Sequence, residues 1–305
     1  MAYIASSILS SIRLWLTSAT FGTWTLRIFT LFWTAIVLVP LFMLLVFSFF
    51  ETKSFVTIYE PTLNTWISLF DSGRFEVAVR TLRIALTVTL IELLIAFPFA
   101  LWLAKGCRSN GTKAIFLSLL TIPFFLDISS RTIVWRAILG QNGLINTTLL
   151  DLGLATSPVE WLLYSEFSVH FGMIAPYFPT MVLPIYLAIS LIDDDLIKAS
   201  GDLGASPLQT LLRVIIPLSM PGILAGTVIT LGPALAAWVE PGMLGGGFVN
   251  LLSHSVESAY TALRYPVVAA LSAFIIVLLG LLFLVFITVT RRVASSQEIF
   301  RQMRQ

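Results

Sequence analysis

Residues 198–222 read KASGDLGASPLQTLLRVIIPLSMPG, a helix, glycine, helix and proline pattern of soluble character set between long apolar runs. The surrounding chain is 57% hydrophobic and 11% charged, with a mean hydropathy of +0.94. That composition belongs to the membrane class. A polar, capped stretch inside such a chain faces a protein partner rather than lipid, and its neighbours must then be the spans.

Working outward, apolar runs occupy 31–50, 84–103, 114–138, 171–189, 222–238 and 267–288. Most are near the roughly 20 residues needed to cross about 30 Å of hydrocarbon. The expectation is an all-α integral membrane protein of six transmembrane helices. A soluble helical bundle of this length would need more charge to dress its surface. With both termini cytoplasmic, the inner segments hold Arg13, Arg27, Lys105, Arg108, Lys113, Lys198, Arg213, Arg291, Arg292, Arg301 and Arg304. The outer segments hold Lys53, Arg74, Arg80, Arg83, Arg131, Arg136 and Arg264, and the excess of eleven over seven favours this orientation. The net charge of +2 reflects topology and contact with an anionic lipid bilayer, with nothing that points to nucleic acid.

The expected organisation is an interfacial or cytoplasmic helix over 1–28, a transmembrane domain over 29–290 and a cytoplasmic tail over 291–305. Between 51 and 79 lies a polar outer loop in which Trp66, Leu69 and Phe70 can form a short interfacial helix. Pro98 predicts a kink in the second span. The third carries Pro123 and ends near a Gln141, Asn142, Gly143 turn. PYFPTMVLP over 176–184 places three prolines in the fourth span and predicts a bent helix. Cys107 is the only cysteine, which excludes an intramolecular disulfide and argues against a thiolate metal site.

In the cytoplasmic segment 193–218, Asp193, Asp194 and Asp195 cap free amides and match the positive end of a helix dipole. Gly204 breaks that helix. Ser206 and Pro207 read as an N-cap and first helical residue of a second short helix through Leu211 and Val214, ended by Pro217 and Pro221. Two short helices about a glycine elbow make a knob able to fill a cleft on another protein. An ordinary loop re-entering the bilayer is the competing reading.

DLGASPLQTLLRVIIPLSMPGILAG (202–226) resembles the EAA loop of the membrane-spanning permease subunits of bacterial ABC importers of the spermidine and putrescine type. IPFFLDISSRTIVWRAILGQNGLIN (122–146), MVLPIYLAISLID (181–193) and EPGMLGGG (240–247) are similar to that family in the same order. The resemblance implies a type I ABC importer permease fold in the bacterial cytoplasmic (inner) membrane. It also implies that the EAA loop docks on a cytoplasmic ATPase as a coupling helix, with Gly204 at the elbow and Ala199, Asp202, Leu203, Ala205 and Pro207 in the matching core. Lys198 stands where the motif usually has glutamate, and Ser200 where it has alanine. A partner cleft built for a carboxylate would repel Lys198, which can instead pair with Asp194 or Asp195.

No GxxxxGK[ST] motif is present, so the chain cannot cradle nucleotide phosphates by that route, and the resemblance implies that ATP and Mg are held by a partner ATPase. The chain is expected to be a non-catalytic subunit without a cofactor. The implied assembly is a second permease subunit, by preference a different one, two ATPases and an external solute-binding protein that delivers a small polar solute. Glu92, Asp127 and Glu240 are carboxylates in or beside spans, where charge is costly and usually faces a pathway or a partner. Three acids suit a cationic polyamine, and Tyr177, Phe178 and Trp238 could offer ring faces to it. Other roles stay open: Glu92 pairing with an arginine of a neighbouring helix, Asp127 capping a helix broken near Pro123 or pairing with Arg131, and the aromatics as packing anchors. Arg131 and Arg136 would equally suit an opine, an organophosphonate or an amino-acid derivative. An ion-coupled secondary transporter is the rival class and would need inverted repeats, none of which is evident.

Overall fold

The structure, a computed structural model, describes the backbone of residues 19–71 and 73–302, and the side chains from 24 to 288 apart from positions 25 and 72. The expected interfacial helix over 1–28 lies outside the described residues as far as position 18. From Ala19 the chain is already part of α1 (Ala19–Phe47), so position 28 is not a break in the helix.

α3 (Arg74–Leu101), α7 (Glu166–Ser190) and α10 (Ile216–Leu235) pack on one another and form the centre of the molecule. The reason is legible as one buried stripe per helix. Ala85, Val88, Glu92, Ala96 and Ala100 recur every three or four residues on α3, and Val169, Met173, Tyr177, Met181 and Ile185 do so on α7. On α10 the stripe is Gly222, Gly226, Thr230 and Ala234. Small residues let backbones approach closely where lipid gives no hydrophobic drive for helix association. A Cβ on Gly222 would lie 2.4 Å from the Ala188 Cβ and 2.5 Å from the Pro184 carbonyl oxygen.

Among the described residues, five helical stretches are long and apolar enough to cross a membrane: 26–47, 74–106, 160–190, 207–235 and 265–288. The first packs along α13 (Tyr265–Gln302) and buries none of its most apolar window. Its perimeter is left to lipid or a partner.

The third expected span, 114–138, is not one rod. α4 (Asn110–Thr121) and a 3₁₀ turn over Ile122–Phe125 meet α5 (Ile128–Leu139) and α6 (Leu144–Asp151) at 100°. Pro123 sits in the 3₁₀ turn, and Asp127 adopts an extended backbone from which its carboxylate accepts the Ser130 amide at 3.1 Å. A chain that caps a new helix at Asp127 cannot continue the old one. By contrast the three prolines of the fourth span all lie within a continuous α7.

The prolines expected to end the second cytoplasmic helix do not. α9 (Pro207–Thr210), a π turn over Leu211–Ile215 and α10 run on as a single helical rod. Pro217 lies inside that rod, and the wider π turn over Leu211–Ile215 just before it accommodates the ring and the missing amide. The end of the cytoplasmic segment at 218 therefore lies inside a helix, and the fifth span begins as part of the elbow.

At the outer end, β1 (Glu51–Lys53) and β2 (Val56–Ile58) pair antiparallel with Thr52 opposite Thr57. This small hairpin, absent from the sequence expectations, precedes α2 (Asn64–Asp71), the short helix anticipated around Trp66. α12 (Leu252–Thr261) packs on α13 and α3 there, with the Leu252 amide donating to the Thr81 hydroxyl at 2.9 Å.

Candidate functional site

The cytoplasmic elbow is built almost wholly from local rules. Asp193 opens α8 (Asp194–Asp202), its carboxylate accepting the Asp195 amide at 3.0 Å. Gly204 then turns the chain with φ +82°, a left-handed conformation that favours glycine, and the Ala205 amide bonds back to the Ser200 carbonyl at 3.0 Å. Ser206 and Gln209 form a reciprocal capping box at the start of α9.

Both departures from the family pattern find local partners. Lys198 pairs with Asp195 at 2.8 Å on the exposed face of α8. The Ser200 hydroxyl meets the Thr210 hydroxyl at 2.8 Å, tying α8 to the base of the rod where Thr210 is buried. Leu203 is 88% exposed, and Leu208 is also exposed. The elbow thus carries an exposed apolar tip.

The elbow is also fastened to the inner end of α3. There a π turn, Trp102–Gly106, carries Lys105, whose Nζ donates to the Ile192 carbonyl at 2.5 Å and to the Asp194 carboxylate at 2.5 Å. The hydrogen bond and charge of Lys105 hold the Asp194 carboxyl below the usual aspartate range.

The second constellation lies inside the bundle. Thr87 meets His170 at 2.8 Å, and Arg83 bridges to Glu166, so α3 and α7 run alongside at one constant offset. That register sets Glu92 opposite Ala175, two residues from Tyr177. Glu92 is fully buried, and neither carboxylate oxygen has a hydrogen-bond partner. Across from it, α11 (Val239–Leu244) places Glu240, 1% exposed, near enough to Tyr177 for the two to interact electrostatically. Arg131 of α5 is close enough to act electrostatically on both Glu240 and Tyr177, and its Nε is buried without a partner. On α7 and α10 the Thr180 and Thr230 hydroxyls meet at 3.0 Å.

Three of the six pathway candidates, Glu92, Tyr177 and Glu240, thus converge. The other three do not. Asp127 is exposed and caps α5; Phe178 packs on Phe99 at 5.5 Å; Trp238 is 59% exposed at the start of α11. Arg131, which sequence reasoning set against an anionic solute, is the cation of the acidic group. Its place depends on the 100° bend before α5, which no local signal makes certain. Arg136 is engaged elsewhere, donating to the Tyr164 hydroxyl at 2.9 Å.

No protein-family profile matches the chain. It is similar to the spermidine/putrescine transport system permease protein PotB of Escherichia coli K12, 33% identical over 239 residues, which are 78% of this chain and 86% of that one. It is likewise 33% identical over 253 residues to the Haemophilus influenzae protein of the same description, covering 82% of this chain and 87% of that one. In backbone it superposes on a chain of a bacterial ABC transporter involved in the import of the acidic polysaccharide alginate. The TM-score is 0.67 at 20% identity, over 94% of this chain and 99% of that chain, a likeness of fold alone.

Proposed function

Because the chain belongs to the spermidine/putrescine-type family of bacterial ABC importer permeases, we propose that it forms part of an ATP-driven solute pathway and passes motion from a cytoplasmic ATPase through its elbow. The observation that carries this reading is the unbroken rod from Pro207 to Leu235. A force applied to α8 and α9 by a docked partner moves α10 as a body, and α10 packs directly on α3 and α7. Lys198, Ala199, Ser200, Asp202, Leu203, Gly204, Ala205 and Pro207 present the docking surface, with Leu203 as its apolar tip. Nucleotide chemistry belongs to the ATPase, and a second permease subunit and an external solute-binding protein complete the importer.

The solute is a polyamine or a related cation. Of the two buried carboxylates, Glu240 is acted on by Arg131 and Glu92 has no cationic partner among the described residues, leaving acceptors that an ammonium group would satisfy. Deleting residues 193–218 tests the coupling role: affinity purification from mild detergent is expected to lose the ATPase while retaining the second permease. Persistence of the ATPase after that deletion would refute it. Uptake of radiolabelled spermidine and putrescine, competed by an organophosphonate, tests the solute class.

A further inference from the structure

At the end of the molecule opposite the elbow, the first residue of α3 and the residue before α13 are Arg74 and Arg264. The two guanidinium groups line one open cleft of about 480 Å³ and are close enough to repel each other. Neither forms an ion pair among the described residues. Glu51, the carboxylate of the same cleft, is engaged by Lys53 at 3.5 Å and Asn64 at 3.3 Å. The positive ends of two helix dipoles point to the same place, and Thr52 contributes a buried hydroxyl without a partner. Arg74 is half-buried and Arg264 exposed, so two like charges without an ion-pair partner among the described residues are held beside each other at an accessible site.

A second observation falls on the rim of the cleft. The turn of the β1–β2 hairpin places Ser54 at φ +50° and Phe55 at φ +65°, a region that non-glycine residues rarely occupy. The ring so presented is 76% exposed, and Val56 and Tyr59 beside it are 65% and 69% exposed. An exposed aromatic tip flanked by unpaired arginines has the composition of a protein-protein contact, in which aromatics and arginine are enriched. The cleft is walled by Thr52, Ser54, Asn64 and Ser68, groups that suit carboxylates better than acyl chains.

We propose that the Arg74 and Arg264 cleft, with Phe55 at its rim, is the docking point for an acidic surface of the external solute-binding protein, whose carboxylates bridge the two guanidinium groups. This rests on the importer reading above and deepens it. Bidentate arginine–carboxylate pairs supply direction as well as attraction, and they would relieve a repulsion the free subunit carries.

The test uses the intact importer complex in lipid nanodiscs, titrated with the solute-binding protein that co-purifies with the wild type. The double reversal Arg74→Glu with Arg264→Glu is expected to weaken binding by about 100-fold and to flatten its dependence on ionic strength. Arg74→Lys with Arg264→Lys should lose far less, and arginine substitutions in acidic residues of the binding protein should recover affinity for the reversed variant. Unchanged affinity and salt dependence in the reversed variant would overturn the proposal. It also falls if the reversal releases the second permease, which would place the arginines at the subunit interface, or if wild-type binding requires phosphatidylglycerol and the reversal abolishes only that requirement, which would assign the cleft to lipid. A wild-type complex that retains its ATPase but binds no such protein would refute both this docking and the importer reading; loss of affinity confined to the variants separates the two.

Discussion

Replacing Gly222 by alanine perturbs a tight backbone approach between α10 and α7. The added Cβ would sit 2.4 Å from the Ala188 Cβ and 2.5 Å from the Pro184 carbonyl oxygen, whereas carbon atoms rest about 3.5 to 4.0 Å apart. The obstruction is backbone and a methyl group, neither of which can rotate away. α10 must therefore move off α7 by about 1 Å locally, at a cost of about 1–3 kcal/mol. Two other glycines supply controls. At Gly172 the nearest atom is the Leu244 Cδ1 at 2.2 Å, the end of a side chain that can change rotamer, so Gly172→Ala should cost less. At Gly232 nothing lies within 4 Å, and Gly232→Ala should be neutral or gain up to about 1 kcal/mol of helix propensity. Thermal unfolding of the purified protein in one detergent ranks the three, and solute-stimulated ATPase activity of the assembled complex reports whether the altered seam still transmits motion. Equal stability of Gly222→Ala and wild type, or of Gly222→Ala and Gly232→Ala, would refute the assignment of this seam as the tight contact.

Other consequences are equally direct. Ser200→Ala leaves the buried Thr210 hydroxyl without its partner and should lower stability by about 1 kcal/mol, while adding Thr210→Val should recover most of it; a double-mutant cycle with no coupling would contradict the hydrogen bond. Ser206→Ala removes the capping box and should cost about 1 kcal/mol, read as faster amide exchange over α9. Glu92→Leu removes two unpartnered oxygens from the bundle, so it should raise the unfolding temperature while abolishing uptake; normal uptake would take Glu92 out of the pathway. For Asp194, whose folded-state pKa lies below its ordinary value of 3.8, the link to Lys105 is fully present above that value and is lost as pH falls through the lowered one. Exchange at 192–196 should stay flat around neutral pH and rise only in strong acid.

The elbow was legible before any coordinates because its signals are local. Asp193, Gly204, Ser206 and Pro207 each satisfy or refuse backbone hydrogen bonds within a few residues, and capping rules operate at that range. The membrane class was legible for a similar reason, since 20-residue apolar runs have few other uses. The hairpin at Glu51–Ile58 was not, because Ser54 and Phe55 lack the glycine or asparagine that usually marks such a turn.

By itself, then, the sequence determined the membrane class, most of the apolar spans and the helix, glycine, helix form of the elbow with its caps, all consequences of short-range chemistry and hydropathy. Only the tertiary structure decided that Pro217 and Pro221 lie inside one rod, that the third span breaks at Asp127, and that Glu92, Tyr177, Glu240 and Arg131 share one layer while Asp127, Phe178 and Trp238 stand apart. Those outcomes depend on the register between helices, which is set by the interlocking of small residues such as Gly222 and Gly226 with the facing backbone. Packing of that kind joins positions far apart in the chain, and no spacing within one segment encodes it.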